Sequence, residues 1–135
     1  MIPVNRLFCI ALLLLSQAAE AQSPAALHWA DSVLNSLTPD QRIAQLMVVR
    51  TSTVGNGGGG IFFDAQTDSL VKQYNIGAVC LFQGTSAQQA ALLNRIQGMA
   101  QTPIMVTVDG EWGLGMRFKD VQNFPYQLTI GAVKD

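Results

Sequence analysis

Histidine occurs once and cysteine twice in the 135 residues of this chain. A metal centre built on imidazole and thiolate needs several such groups at ligand spacing. His28 and two distant cysteines do not supply them, so no metal is expected, and His28 is read as a surface or helix residue. Cys9 lies near the amino terminus. Cys80 lies in the apolar run Ala78-Val-Cys-Leu-Phe82. A single buried thiol behaves as a small hydrophobe. Charge of one sign is also missing: 8 Lys and Arg stand against 9 Asp and Glu, for a net charge of -1. No basic run is present to track a phosphate backbone, which argues against a nucleic-acid partner. Long apolar runs are absent too. Leu7 to Leu15 is well short of the roughly 20 residues a spanning helix needs. The glycine run Gly57 to Gly60 lacks the Gly-Lys-Ser/Thr ending of a phosphate cradle. No acidic residue about 20 positions on marks a ribose site. Nucleotide binding is therefore not expected, and no internal repeat is visible.

What is present begins with an export signal. Arg6 supplies a positive start, Leu7 to Leu15 an uncharged apolar stretch, and Ala19-Glu20-Ala21 a small-x-small pattern before a cut. This is the layout of a secretory signal peptide. It assigns 1–21 to the signal and 22–135 to the mature chain, exported to the periplasm or beyond, with no membrane attachment after cleavage. A lipoprotein cut needs a cysteine after a small residue. Cys9 follows Phe8, so that reading is rejected. Loss of Arg6 and Glu20 leaves the charge balance unchanged.

The mature part alternates helical and extended patterns. Leu27, Ala30, Val33, Leu34 and Leu37 recur at helical spacing over Ala25 to Leu37. Thr38-Pro39-Asp40-Gln41 then has the form of a capping box with proline at the first helical position, opening a helix to about Leu46. Met47 to Arg50 is a short strand candidate. Thr51 to Gly60 is expected to be a loop, since four consecutive glycines cost too much entropy inside an element. Thr67 to Tyr74 is a helix, stopped by Asn75 and Gly77. Gly77 to Phe82 is a second, buried strand. Thr85 or Ser86 caps a helix over Ala87 to Ala100, with Gln88 or Gln89 at the third position. Ile104 to Val108 is a third strand, and Leu128 to Ala132 begins a further one. Strands alternating with helices indicate an α/β fold with a parallel sheet and outer helices.

The most informative stretch follows the third strand: Val106-Thr-Val-Asp-Gly-Glu-Trp-Gly-Leu-Gly-Met-Arg117. A continuous apolar run is the mark of a buried parallel strand, and this one ends abruptly in Asp109. Polar groups at the carboxyl end of such a strand occupy the place where α/β folds build their sites. Asp109 and Arg117 are thus candidates for a carboxylate and a guanidinium that grip sugar hydroxyls. Glu111 is expected to orient Arg117 through a salt bridge. The plainer readings are a turn cap for Asp109, since Asp-Gly is a common turn pair, and a solvated surface charge for Arg117. Trp112 suits either a stacking platform or, more commonly, a loop anchor.

Four segments together resemble the amino-terminal domain of family 3 glycoside hydrolases, nearest to the β-N-acetylglucosaminidase-like branch. They are Leu37 to Leu46, Ile76 to Thr85, Pro103 to Gly113 with Arg117, and Phe124-Pro125 with Gly131-Ala132. The resemblance implies the amino-terminal portion of a (β/α)8 TIM-type barrel, which when complete takes about 250 residues. The chain is accordingly expected to be the amino-terminal piece of a longer polypeptide. The resemblance further implies a retaining, exo-acting β-glycosidase that uses no cofactor. Its substrate would carry a terminal β-linked sugar, possibly N-acetylglucosamine. Asp109 and Arg117 would contact that sugar. No residue of the chain matches the family's nucleophile or its acid/base, so no catalytic residue is assigned. The rival expectation is a non-catalytic carbohydrate-binding or scaffolding α/β module.

Overall fold

The computed structural model describes residues 23–134; the signal-peptide reading over 1–21 lies outside them. Contacts divide the chain at Ser36 into two units. The first contributes helix α1 (Pro24–Ser36), opened by the Ser23 hydroxyl accepting from Ala26 N at 3.2 Å. Its Leu27, Trp29 and Leu34 are exposed.

The second unit carries the sheet. Helix α2 (Pro39–Ala44) starts at the expected capping box, with Thr38 Oγ1 accepting from Gln41 N and Gln41 Oε1 from Thr38 N. Strand β1 (Val48–Arg50) follows. A two-stranded antiparallel hairpin comes next, β2 (Ser52–Val54) against β3 (Gly60–Phe62). This corrects the loop expected over Thr51 to Gly60. The glycines sit mainly in the hairpin turn, where Gly57 and Gly58 have φ of 91° and 82°, a region closed to most side chains. The flanking β-branched residues of Ser52-Thr-Val54 are left free to pair. Helix α3 (Asp64–Tyr74) begins three residues earlier than its apolar pattern suggested and ends at Asn75, which takes the left-handed conformation (φ 56°, ψ 52°). Strand β4 (Ala78–Leu81) is followed by helix α4 (Ser86–Met99), opened by a second capping box between Thr85 and Gln88. Strand β5 (Met105–Val108) completes the sheet.

Strands β1, β4 and β5 form one parallel sheet in that order, with β4 in the centre. The register is Val49↔Val79↔Val106. Helices α3 and α4 cover one face. Val71, Ile76, Val79, Leu81, Leu92 and Ile96 form the core there, and Ile96 and Val79 are wholly buried. Arg95 ties the two helices at the surface, reaching Asp64 at 2.9 Å and Asp68 at 3.2 Å. The hydrogen bond that Arg95 donates to the Asp64 carboxylate raises its guanidinium pKa above the ordinary value. Val48 and Met105 lie on the other face and remain exposed. A mixed α/β unit with a three-stranded parallel sheet and helices outside fits the amino-terminal part of a TIM-type barrel.

Two interior details fix the strand order. Gly77 enters β4 so close to the α2–β1 connection that a Cβ there would fall on the Gln45 carbonyl. Gly77 N donates to Ala44 O at 3.1 Å across this approach. Buried Asn75 donates from Nδ2 to Thr102 Oγ1 at 3.0 Å and accepts from Thr102 N at 3.1 Å, linking the end of α3 to the entry of β5.

The strand expected over Leu128 to Ala132 is instead a short helix, α5 (Gln127–Gly131). Ile130 N donates to Tyr126 O at 3.1 Å, and Ala132 N to Thr129 O at 3.1 Å. A short apolar run does not by itself distinguish strand from helix. Local hydrogen bonds satisfy this backbone without a neighbouring strand.

Candidate functional site at the carboxyl edge of the parallel sheet

Leu81 and Val108 are the last paired residues of β4 and β5. The next positions, Phe82 and Asp109, therefore leave the ladder side by side at the carboxyl edge of the sheet. Thr51 leaves β1 at the same edge and is held there by its N–H donating to Cys80 O at 3.1 Å. The site is built where the backbone first escapes strand pairing.

Arg117 returns to this edge through a compact loop. Gly113 N donates to Gly110 O at 3.0 Å, and a single 3-10 turn runs over Leu114–Met116. The loop is fastened to the β4–α4 connection at three points. Phe118 pairs with Gly84 as an isolated parallel bridge. Lys119 N donates to Gly84 O at 3.1 Å. Ser86 N donates to both carboxylate oxygens of Asp120 at 2.9 Å. Asp120 thereby places a negative charge on the first turn of α4, the favourable end of the helix dipole. Phe118 itself is buried in the core. A buried anchor directly after Arg117 fixes where that guanidinium can go.

Arg117 folds back onto Asp109. Its Nε donates to the Asp109 carbonyl at 2.6 Å and its Nη2 to Asp109 Oδ2 at 2.5 Å. The guanidinium carbon lies 4.6 Å from the centre of the Phe82 ring, within cation–π range. The Arg117 side chain is 16% exposed and that of Asp109 48%. The arginine is thus clamped between a carboxylate and an aromatic face, while the carboxylate looks outward. Among the described residues no hydrogen bond occupies Asp109 Oδ1. An ionised carboxylate with a free oxygen, steadied by a charged fork, accepts from hydroxyls in the stronger, charge-assisted class.

The structure brings Asp109 and Arg117 together but leaves Glu111 apart. The salt bridge expected between Glu111 and Arg117 does not form. Glu111 is exposed, and its backbone carbonyl accepts from Gln127 Nε2. The physical reason is that the intervening turn carries Glu111 toward solvent, while Asp109 takes Nε and Nη2 of Arg117. Trp112 meets Tyr126 edge-on, with centroids 4.7 Å apart at 70°, which makes it an anchor of the loop. Phe82 and Asp120 were not singled out in the sequence. For Phe82 a signal was available: it ends an apolar strand at the position equivalent to Asp109. For Asp120 no sequence signal was available, because its partner Ser86 lies 34 positions away.

Among the described residues no group of three or more His, Cys, Asp or Glu side chains could hold a metal ion. No helix among them is long and apolar enough to cross a membrane.

The sequence profile described as "Glycosyl hydrolase family 3 N terminal domain" matches residues 38–135. The chain belongs to glycosyl hydrolase family 3. The match starts at Thr38, the cap of α2, and takes in the whole parallel sheet and the Asp109–Arg117 loop. No curated protein matches the chain. Family membership makes this a glycoside hydrolase domain and its substrate a carbohydrate. It also accounts for the position of the site, since barrels of this type carry their ligands at the carboxyl ends of the strands.

Proposed function

We propose that this domain serves a retaining, exo-acting β-glycosidase of the β-N-acetylhexosaminidase type. Asp109 and Arg117 hold the terminal β-linked sugar, N-acetylglucosamine being the favoured one. The observation that carries the reading is the outward Asp109 carboxylate, clamped by Arg117 over Phe82 at the sheet edge. In a retaining reaction a carboxylate attacks the anomeric carbon through an oxocarbenium-like transition state. Asp109 is not assigned that role, and no residue here is assigned as nucleophile or acid/base. The contribution of the pair is to fix the ring, so that the reacting carbon is held in attack geometry.

The test is hydrolysis of aryl β-glycosides by the protein as its gene encodes it. Asp109→Ala is expected to lower kcat/KM by about ten- to a hundredfold or more, from loss of hydrogen bonds worth about 1.5–3 kcal/mol each. An unchanged kcat/KM removes the assignment of Asp109. Faster turnover of the β-glucoside than of the β-N-acetylglucosaminide removes the choice of sugar.

Export through a cleaved signal over 1–21 belongs to the same proposal, supported by the Arg6, Leu7 to Leu15 and Ala19-Glu20-Ala21 layout. Terminal sequencing of the mature protein is expected to begin near Gln22. A chain that retains Met1 after export contradicts it.

A further inference from the structure

A second guanidinium stands at the carboxyl edge of the sheet, on the same face as the Asp109–Arg117 pair. The register aligns Arg50 with Cys80, and Cys80 with Thr107, across the three strands. Aligned residues of neighbouring strands project to one face, and so do residues two apart along a strand. Phe82 comes two positions after Cys80, and Asp109 two after Thr107. Arg50 therefore lies one step below Phe82 and Asp109 on their side of the sheet. Arg117 bonds to Asp109 while lying over the Phe82 ring, which shows that those two share a side. Val49, Val79, Leu81 and Val108 alternate with this row and pack toward the helices. The face of Arg50 is thus the one that α3 and α4 leave open.

Arg50 is exposed. Among the described residues the ion pairs belong to Arg95 and Arg117, and none to Arg50. Its guanidinium carbon lies 5.5 Å from the centre of the Phe63 ring. Phe63 N donates to Thr51 O at 2.9 Å, so that ring stands beside the end of β1 and draws the guanidinium to the carboxyl edge. The neighbouring acids do not neutralise it. Asp109 is taken by Arg117, Asp64 is taken by Arg95, and Glu111 turns to solvent.

Two strand spacings and one two-residue step separate the Arg50 and Asp109 backbones by about 12 Å. With both side chains reaching over the edge, the opening between their charged ends suits one pyranose ring. A sugar held by Asp109 then covers Arg50 as well. Covering a guanidinium takes its charge out of water, which is costly unless a counter-charge comes with it. A neutral sugar brings none. An oxyanion does, and the planar fork of arginine matches a carboxylate or a tetrahedral oxyanion with two parallel bonds.

We infer that Arg50 is a substrate-binding residue, which receives an exocyclic oxyanion of the terminal sugar. The preferred substrate is then an acidic β-linked sugar, a uronate or a sulfated N-acetylglucosamine, over its neutral counterpart. The inference rests on the reading of the Asp109 edge as a sugar site.

The experiment is titration calorimetry on the protein as its gene encodes it, with two pairs of methyl β-glycosides. One pair is the glucuronide and the glucoside. The other is the N-acetylglucosaminide 6-sulfate and the N-acetylglucosaminide. The acidic member of at least one pair is expected to bind about tenfold tighter or more, the effect of one charge-assisted hydrogen bond. The pair that shows it identifies the oxyanion as carboxylate or sulfate. This comparison within the parent protein needs no variant. Arg50→Met, at an exposed position, should then remove the preference. Acidic members that bind no tighter than their neutral partners in both pairs overturn the inference. A preference that survives Arg50→Met overturns it as well. Asp109→Ala separates this outcome from the fate of the proposed function. Neutral binding lost in Asp109→Ala, with no acid preference in the parent, keeps Asp109 and sinks Arg50. Neutral binding undiminished in Asp109→Ala, with an acid preference that Arg50→Met removes, does the reverse. No binding of any of the four glycosides sinks both.

Discussion

Replacing Arg117 with lysine keeps the positive charge and removes the fork, which isolates what the geometry of that side chain contributes. Arg117 makes two hydrogen bonds to one residue, at 2.6 Å to the Asp109 carbonyl and 2.5 Å to its carboxylate, and lies 4.6 Å over Phe82. An ammonium can satisfy one of the two bonds and stacks less well on an aromatic face. A lost hydrogen bond to a charged group accounts for about 1.5–3 kcal/mol. The weakened cation–π contact adds about 0.5–1 kcal/mol at a partly exposed site. Asp109 is 48% exposed, so solvent screens the ion pair and the lower ends of these ranges apply. About 2 kcal/mol, if it acts on bound sugar, lowers kcat/KM roughly thirtyfold. The assay is initial-rate kinetics on an aryl β-N-acetylglucosaminide, alongside the urea midpoint of the same protein. Arg117→Lys is expected to lose most of kcat/KM, with the midpoint falling by no more than the same roughly 2 kcal/mol of stability represents. Activity within twofold of the parent would refute the claim that the fork positions Asp109. A large fall in the midpoint would recast Arg117 as a structural anchor.

Three stability predictions follow from the same packing, each read by urea unfolding. Ile96→Ala removes a wholly buried side chain from between α4 and the sheet and should cost about 2–5 kcal/mol; a change below 1 kcal/mol would mean that the core lies elsewhere. Gly77→Ala places a Cβ on the Gln45 carbonyl. It is expected to destabilise by about 4 kcal/mol or more, among the largest single-residue effects, and a mild effect would contradict the close approach of β4 to the α2–β1 connection. Thr85→Ala removes the acceptor for Gln88 N. A loss of about 1 kcal/mol is expected, and no loss would show that Asp120 alone suffices to cap α4.

Local chemistry made much of this fold legible. Both capping boxes, Thr38 with Gln41 and Thr85 with Gln88, form where the spacing predicts, because a cap satisfies its own backbone within three residues. Asn75 ends α3 for an equally local reason. The β4 and β5 strands were visible as nearly unbroken apolar runs, the pattern of parallel strands, although Met105 and Val106 of β5 remain exposed. The misreadings occurred where the outcome depends on pairing partners. The β2–β3 hairpin was hidden by its glycine-rich turn, and α5 was mistaken for a strand because a five-residue apolar run has no decisive period. At the site, Asp109 could be placed by its position after a strand. The geometry of Arg117 could not, since it depends on Phe118 burying itself and on Asp120 finding Ser86 across the fold. Glu111 was the reasonable partner by sequence proximity, yet the turn took it out of reach.

The central claim is a carboxylate held outward on a sheet edge to accept the hydroxyls of a sugar. A crystal structure of the protein with N-acetylglucosamine bound tests it most directly. The account predicts two neighbouring sugar hydroxyls within about 2.5–3.0 Å of the Asp109 carboxylate, with Arg117 still over Phe82. A bound sugar that leaves Asp109 untouched at that edge would contradict it.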